Sequence, residues 1–208
     1  MIITKKVLRN VSLTAHPLGC RRYVENQIAW VEAHAKQSGN PHYPSTTGLP
    51  IPKRVLILGG STGYGLSSRI VAAFGHNSDT INVSFEREPG ENKTATPGWY
   101  NTMAFEDIAK RRGLKAVSVF GDAFSNQIKE AVAQKIQKEL GQVDLVIYSL
   151  ASPLRTDPVT GQSYKSVLKP ISKAFTALSV DLESDIVKQA AIEPATEEQI
   201  AETVKVMG

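Results

Sequence analysis

Apolar residues along this chain follow two alternating periods. Val24, Ile28, Val31 and Ala35 recur at helical intervals over residues 21–37, with mostly polar residues between them, which predicts an amphipathic helix. Val55-Leu56-Ile57-Leu58 is instead continuous, as a short parallel strand covered on both faces requires, and Pro52-Lys53-Arg54 marks its entry. Leu66, Ile70, Val71 and Phe74 return to helical spacing, with Gly75 expected as the helix C-cap. A second strand over Thr80–Phe85, a helix over Tyr100–Arg112 stopped by Gly113, and a third strand over Lys115–Phe120 continue the alternation. Ser125 is then placed to cap a helix with Ile128, Val132, Ile136 and Leu140 on one side, ended by Gly141, and Asp144–Ala151 reads as a fourth strand. Turn-forming residues over 38–52 and 87–98 predict loops. Strands alternating with helices imply an α/β fold with a parallel sheet and helices on both faces.

The turn after the first strand carries the strongest chemical signal. Gly59, Gly63 and Gly65 stand in a Gly-x3-Gly-x-Gly spacing between a strand and a helix, which resembles the sites of a Rossmann-like, short-chain-dehydrogenase-type parallel sheet with helices on both faces. Gly59 permits the tight turn, Gly63 lets the backbone approach a pyrophosphate, and Gly65 lets the helix pack closely on the strand. The phosphates would rest on the unpaired N–H groups at the helix start. The second strand runs into Glu86, placed to accept hydrogen bonds from the adenosine ribose hydroxyls and to repel a 2′-phosphate. That favours NAD over NADP, while Arg87 next to it argues in the other direction. Asp122 follows the third strand, where such sheets place ligands, and is open to two readings, an adenine contact or a polar turn residue. The fourth strand would end near the nicotinamide.

Composition narrows the function classes. With 208 residues the chain is long enough to bury a core, and 41% hydrophobic content is ordinary for a globular protein. The net charge of +4 is spread along the chain without an aromatic-basic motif, so no nucleic-acid partner is expected. No apolar run approaches a membrane span and Met1–Lys6 begins no secretory segment, so no membrane partner is expected and the expected compartment is the cytoplasm. Cys20 is the single cysteine and the four histidines lack paired ligand spacing, so neither a disulfide nor a metal site is expected.

Several stretches together resemble one family. His16-Pro17-Leu18-Gly19-Cys20, Gly59-Gly60-Ser61-Thr62-Gly63-Tyr64-Gly65, Phe85-Glu86, Gly121-Asp122-Ala123-Phe124-Ser125, Tyr148-Ser149-Leu150-Ala151-Ser152-Pro153 and Ile192-Glu193-Pro194-Ala195-Thr196-Glu197-Glu198 look like the NADH-dependent trans-2-enoyl-ACP/trans-2-enoyl-CoA reductases. The resemblance implies reduction of the 2,3 double bond of an enoyl thioester by NADH in fatty-acid synthesis, with acyl-carrier protein or coenzyme A as the carrier. It also implies that Gly59, Gly60, Ser61, Thr62, Gly63 and Tyr64 bind pyrophosphate and ribose, and that Phe85 and Glu86 hold the adenosine. By the same resemblance Asp122 and Ala123 border the adenine, and Leu150 and Ala151 approach the nicotinamide ribose.

Members of that family are about twice this length, so the sheet is expected to be incomplete here. The expected organisation is an N-terminal segment over 1–54, a dinucleotide-binding core over 55–153, and a hairpin-like excursion with a C-terminal helix over 154–208 that starts the missing substrate part. Thr196-Glu197-Glu198-Gln199 forms a capping box for that helix, with Ile200, Val204 and Met207 as an apolar stripe and Gly208 as its C-cap. The exposed stripe and the unpaired flank of the fourth strand are expected to be covered by the missing C-terminal half or a second copy. The family's catalytic Tyr-x8-Lys pair is expected beyond residue 208, leaving no catalytic residue in this chain. Tyr164 and Lys173 reproduce the spacing, but Pro170 between them breaks any helix, and Ser163–Leu168 reads as a strand after the Asp157-Pro158-Val159-Thr160-Gly161 turn.

Three functions fit these observations: the cofactor-binding half of an enoyl reductase, a non-catalytic NAD-binding module, and a short-chain dehydrogenase for another carbonyl substrate. The third needs a Tyr-x3-Lys pair, and none of the six tyrosines has a lysine four positions on.

Overall fold

The structure is a computed structural model that describes residues 7–8, 11–12, 14–37, 50–181 and 184–207. Its elements begin with β1 (Val7–Leu8), β2 (Val11–Ser12), α1 (Pro17–Gln37), β3 (Arg54–Leu58), α2 (Gly63–Ile70), β4 (Asp79–Ser84) and α3 (Pro97–Arg111). They continue with β5 (Ala116–Phe120), α4 (Asn126–Glu139), β6 (Leu145–Tyr148), β7 (Leu154–Thr156), β8 (Ser163–Lys165), β9 (Phe175–Asp181), β10 (Ile186–Ile192) and α5 (Glu197–Met207). The chain divides into two compact units, one built on 14–150 and the other on 151–208 with the segment 5–13.

The first unit is a four-stranded sheet in the order β5-β4-β3-β6, with every pairing parallel. This is the third-second-first-fourth order of a dinucleotide-binding fold, in which the strand order reverses beside β3. Alternation along the strands sends each face to a different helix layer. Val55 and Ile57 pack with Ala72 and Ile147 on one side. Leu56, Ile81 and Val83 pack with Val132 of α4 on the other. On the first side α1, α2 and α3 share a core of Val24, Ile28, Val31, Leu66, Ile70, Ala104 and Phe105. Helices thus cover both faces, as the unbroken apolar run of β3 demands.

Several elements depart from the sequence expectation in physically explicable ways. Gly75 does not cap the helix after β3: α2 runs on through a π-helical turn, Val71–Gly75, and the left-handed residue is Asn77 at φ 53°. The fourth strand is shorter than Asp144–Ala151. It stops at Tyr148 because Leu58, which accepts the Ser149 N–H at 2.8 Å, ends the β3 ladder. At its other end Asp144 lies outside the strand, where its carboxylate accepts the Lys53 and Arg54 N–H groups at 3.0 Å each and pairs with the Arg54 guanidinium at 2.7 Å. The expected loop over 38–52 falls largely outside the described residues, as does the Gly208 cap.

The second unit is made of short antiparallel pieces. β7 and β8 form a hairpin closed by Asp157, whose Oδ1 accepts the N–H groups of Val159 and Thr160. β9 and β10 form a second, seven-residue hairpin over residues to which the sequence reading assigned no strand. In α5 the capping box is realised in both directions, Gln199 N–H to Thr196 Oγ1 and Thr196 N–H to Gln199 Oε1, each at 3.2 Å. The apolar stripe is rotated from the expected one: Val206 is buried and Val204 is exposed, because Thr203 Oγ1 accepts the Val167 N–H on the docked side. No described helix is long and apolar enough to cross a membrane, and no described cluster of His, Cys, Asp and Glu is arranged to hold a metal ion.

Candidate functional site

The carboxyl ends of β3 and β4 meet around the glycine turn. Gly59 turns the chain at φ 91°, and a side chain there would overlap the Ser149 carbonyl and press on the Leu150 side chain. Its N–H donates to Val83 O at 2.7 Å, which anchors the turn to β4. Gly65, the third residue of α2, faces the Gly59 carbonyl so closely that any Cβ would overlap it. Between these two contacts Gly63, at φ 53°, faces open space, with no atom within 4 Å of the place its Cβ would take. The Thr62 side chain makes no capping bond, so it leaves the N–H groups of the first turn of α2 unsatisfied. An anion fits these groups: a glycine-lined opening, orphan backbone donors and the positive end of a helix. Thr62, Gly63 and Tyr64 are all exposed at this opening, Tyr64 to 90%.

Beneath the turn lies a polar network that the sequence reading missed. Gly60 N–H donates to Asn82 Oδ1 at 2.8 Å, and Asn82 Nδ2 donates to Ser84 Oγ at 3.2 Å and to Ser118 Oγ at 3.4 Å. Ser118 Oγ also accepts from Arg69 at 3.1 Å, and Arg69 donates to Thr80 Oγ1 and Val117 O. Arg69 is fully buried, lies over the Phe105 ring at 4.2 Å, and has the Glu106 carboxylate 3.7 Å away. Burial pulls its pKa down to about 10 against the opposing pull of Glu106, so it stays charged at neutral pH. The signal was present in the sequence: Thr80, Asn82 and Ser84 alternate with Ile81 and Val83 in a strand buried on both faces.

Glu86 lies at the end of β4, and both of its carboxylate oxygens have protein donors. Ser61 Oγ donates to Oε1 at 2.6 Å and Thr96 Oγ1 donates to Oε2. Ser61 is therefore turned inward rather than toward the opening, with its carbonyl accepting from buried Asn101 at 3.1 Å. Phe85, beside Glu86, is 79% exposed. Asp122 occupies the turn after β5, where its Oδ1 accepts the Phe124 N–H at 2.9 Å and its carbonyl accepts from Ser125. These bonds hold the turn, and Ala123 is half-buried against the α4 side of the sheet. Leu150 lies against Gly59, while Ala151 opens the second unit. Sequence-predicted residues Gly59, Gly60, Ser61, Glu86 and Leu150 are thus gathered at one sheet end, and Asp122 and Ala123 follow the adjacent strand.

Tyr164 and Lys173 do not share a helix. Tyr164 is on β8, with its hydroxyl donating to Gln162 at 3.0 Å and the Lys205 ammonium 4.8 Å from its ring centre. Lys173 stands in the connection before β9, where its N–H donates to Ile171 O.

Residues 2–91 match the family described as the NAD(P)H binding domain of trans-2-enoyl-CoA reductase, and residues 93–208 match the trans-2-enoyl-CoA reductase catalytic region. That division falls inside the parallel sheet, between β4 and β5. The whole chain is 49% identical to 50% of the enoyl-[acyl-carrier-protein] reductase [NADH] of Pseudoalteromonas atlantica. It is 48% identical to 50% of the trans-2-enoyl-CoA reductase [NADH] of Ruminiclostridium cellulolyticum. Among solved structures, that of Treponema denticola trans-2-enoyl-CoA reductase in complex with NAD superposes with a TM-score of 0.87 at 48% identity, over all of this chain and 51% of that one. The chain spans about half the length of the curated relatives it matches.

Proposed function

This chain belongs to the trans-2-enoyl-CoA reductase family, and we propose that it is the NADH-binding half of an enzyme that reduces the 2,3 double bond of a trans-2-enoyl thioester. The observation that carries the proposal is the open glycine turn: Gly63 faces empty space at the start of α2, while Gly59 and Gly65 admit no side chain. NADH, when bound, supplies the hydride that adds to the β-carbon. The residues of this chain bind and orient. The first-turn N–H groups of α2 would hold the pyrophosphate and Glu86 would accept from the ribose hydroxyls, while Asn82 keeps Gly60 in place beneath them. Leu150, packed at Gly59, would border the nicotinamide ribose.

As hydride arrives at the β-carbon, negative charge develops on the thioester oxygen, and a proton must then reach the α-carbon. A tyrosine hydroxyl and a lysine ammonium suit those tasks. Tyr164 on β8, its hydroxyl bonded to Gln162, and Lys173 in the connection before β9 share no helix, which supports the reading that the Tyr-x8-Lys pair lies on a complementary half. The same half would extend the sheet beyond β6, which stands at the edge of the described sheet, paired with β3. The enoyl thioester of acyl-carrier protein or coenzyme A is the substrate in this reading.

Titration of the 208-residue chain with NADH, followed by nicotinamide fluorescence and then by addition of an enoyl-CoA, tests it. Binding without oxidation is the expected result. Oxidation by the chain alone overturns the assignment of the catalytic pair, and failure to bind NADH overturns the cofactor site.

A further inference from the structure

We propose that Thr96 is the positioning residue that sets the choice between NADH and NADPH, by locking the Glu86 carboxylate at the foot of α3; the inference rests on the cofactor reading above. A carboxylate at this sheet position accepts from the ribose diol and repels a 2′-phosphate. On a side chain free to rotate it is a weak selector. It can swing aside, and Arg87, the next residue, is placed to pair with the phosphate instead.

The structure removes that freedom with three restraints. Ser61 Oγ donates to one carboxylate oxygen at 2.6 Å, and Thr96 Oγ1 donates to the other. The third restraint is steric. Buried Gly98, the second residue of α3, lies so close to Oε1 that a Cβ there would overlap the carboxylate. Glu86 therefore rests at the positive end of α3. Each oxygen keeps lone-pair capacity after accepting one bond, so the locked carboxylate can still receive a ribose hydroxyl.

Thr96 acts on Arg87 as well. Its Oγ1 accepts the Arg87 N–H at 3.1 Å, and its own N–H donates to the Arg87 carbonyl at 3.1 Å. One residue thus fixes both the acid that admits the diol and the backbone of the base that would admit the phosphate. Thr96 was not visible as a site residue because its partners lie nine and ten positions back in the chain, across a polar loop.

The test compares dissociation constants for NADH and NADPH in the full chain and in Thr96→Val, Thr96→Ser and Gly98→Ala. Valine keeps the shape of threonine and removes only the hydroxyl. In Thr96→Val the NADPH-to-NADH ratio of dissociation constants is expected to fall by about tenfold, the equivalent of one hydrogen bond. Thr96→Ser restores the ratio, and Gly98→Ala shifts it in the same direction as valine. A loss of global stability weakens both cofactors together, so the ratio reports position rather than folding. If the parent chain prefers NADH and Thr96→Val keeps that preference, this proposal fails while the cofactor reading stands. If the parent chain binds neither nucleotide, the cofactor reading fails and takes the proposal with it.

Discussion

The Cα of Gly65 lies against the carbonyl oxygen of Gly59, at a distance that admits no Cβ. This contact sets how near α2 starts to the end of β3, and so where the first-turn N–H groups point. Gly65→Ala must push the helix off the strand or distort the turn. It is expected to destabilise the chain by about 2 kcal/mol, an overpacking cost, and to abolish NADH binding. Urea unfolding and fluorescence titration read the two effects.

Gly63→Ala should separate them. Its φ of 53° strains an alanine by about 1 kcal/mol, but no protein atom lies where the methyl would go. The protein is expected to fold with a small loss of stability while NADH affinity falls by about tenfold or more, because the methyl occupies the approach of the phosphates. Equal NADH affinity in parent and variant would remove Gly63 from the site.

Asn82→Ala is expected to cost about 2 kcal/mol, since it leaves the buried Gly60 N–H without its acceptor and removes the Asn82 donor from Ser84. Asn82→Asp, which keeps an acceptor for Gly60, should retain more NADH affinity than Asn82→Ala in the same titration.

The Arg54–Asp144 pair predicts a defined acid response. Hydrogen bonding by Arg54 holds the Asp144 carboxyl well below its ordinary value of 3.8, at about 2 in the folded chain. A depressed folded pKa gives stability that is complete above the unfolded pKa and is lost as pH falls through the folded one. The stability difference between the parent chain and Asp144→Asn should therefore be constant above about pH 5 and shrink between about pH 4 and 2. Thermal melts across that range check it, and a difference that keeps its neutral-pH size down to pH 2 would contradict the pairing.

Tyr164→Phe and Lys173→Met are expected to leave NADH binding unchanged, since both residues belong to the second unit and the Tyr164 hydroxyl is held by Gln162. Their combination with a complementary half carrying a Tyr-x8-Lys pair should retain full turnover. A loss of turnover with intact binding would return them to the reaction.

Local patterns carried much of this description. The unbroken Val55–Leu58 run and the glycines after it settled strand, turn and helix in order, because a parallel strand covered on both faces and a tight phosphate-binding turn each demand particular residue types. Ser125 as a cap and Thr196 with Gln199 as a capping box were also legible, since those bonds span three residues. The β9–β10 hairpin was not. Its strands mix Lys188, Gln189, Ser179 and Asp181 with apolar residues without a clear alternation, so no buried face announces them.

What the sequence by itself determined was the order of elements, the parallel α/β class and the glycine turn, all of which follow from residues within one or two turns of each other. The tertiary structure decided how the site is held. Ser61 with Glu86, Thr96 with Glu86, Gly60 with Asn82, and Asn82 and Arg69 each with Ser118 are contacts between residues on different elements, 10 to 49 positions apart. No short-range pattern encodes such pairings, because their geometry exists only once β3 and β4 are side by side and α3 has packed its N-terminus against the end of β4.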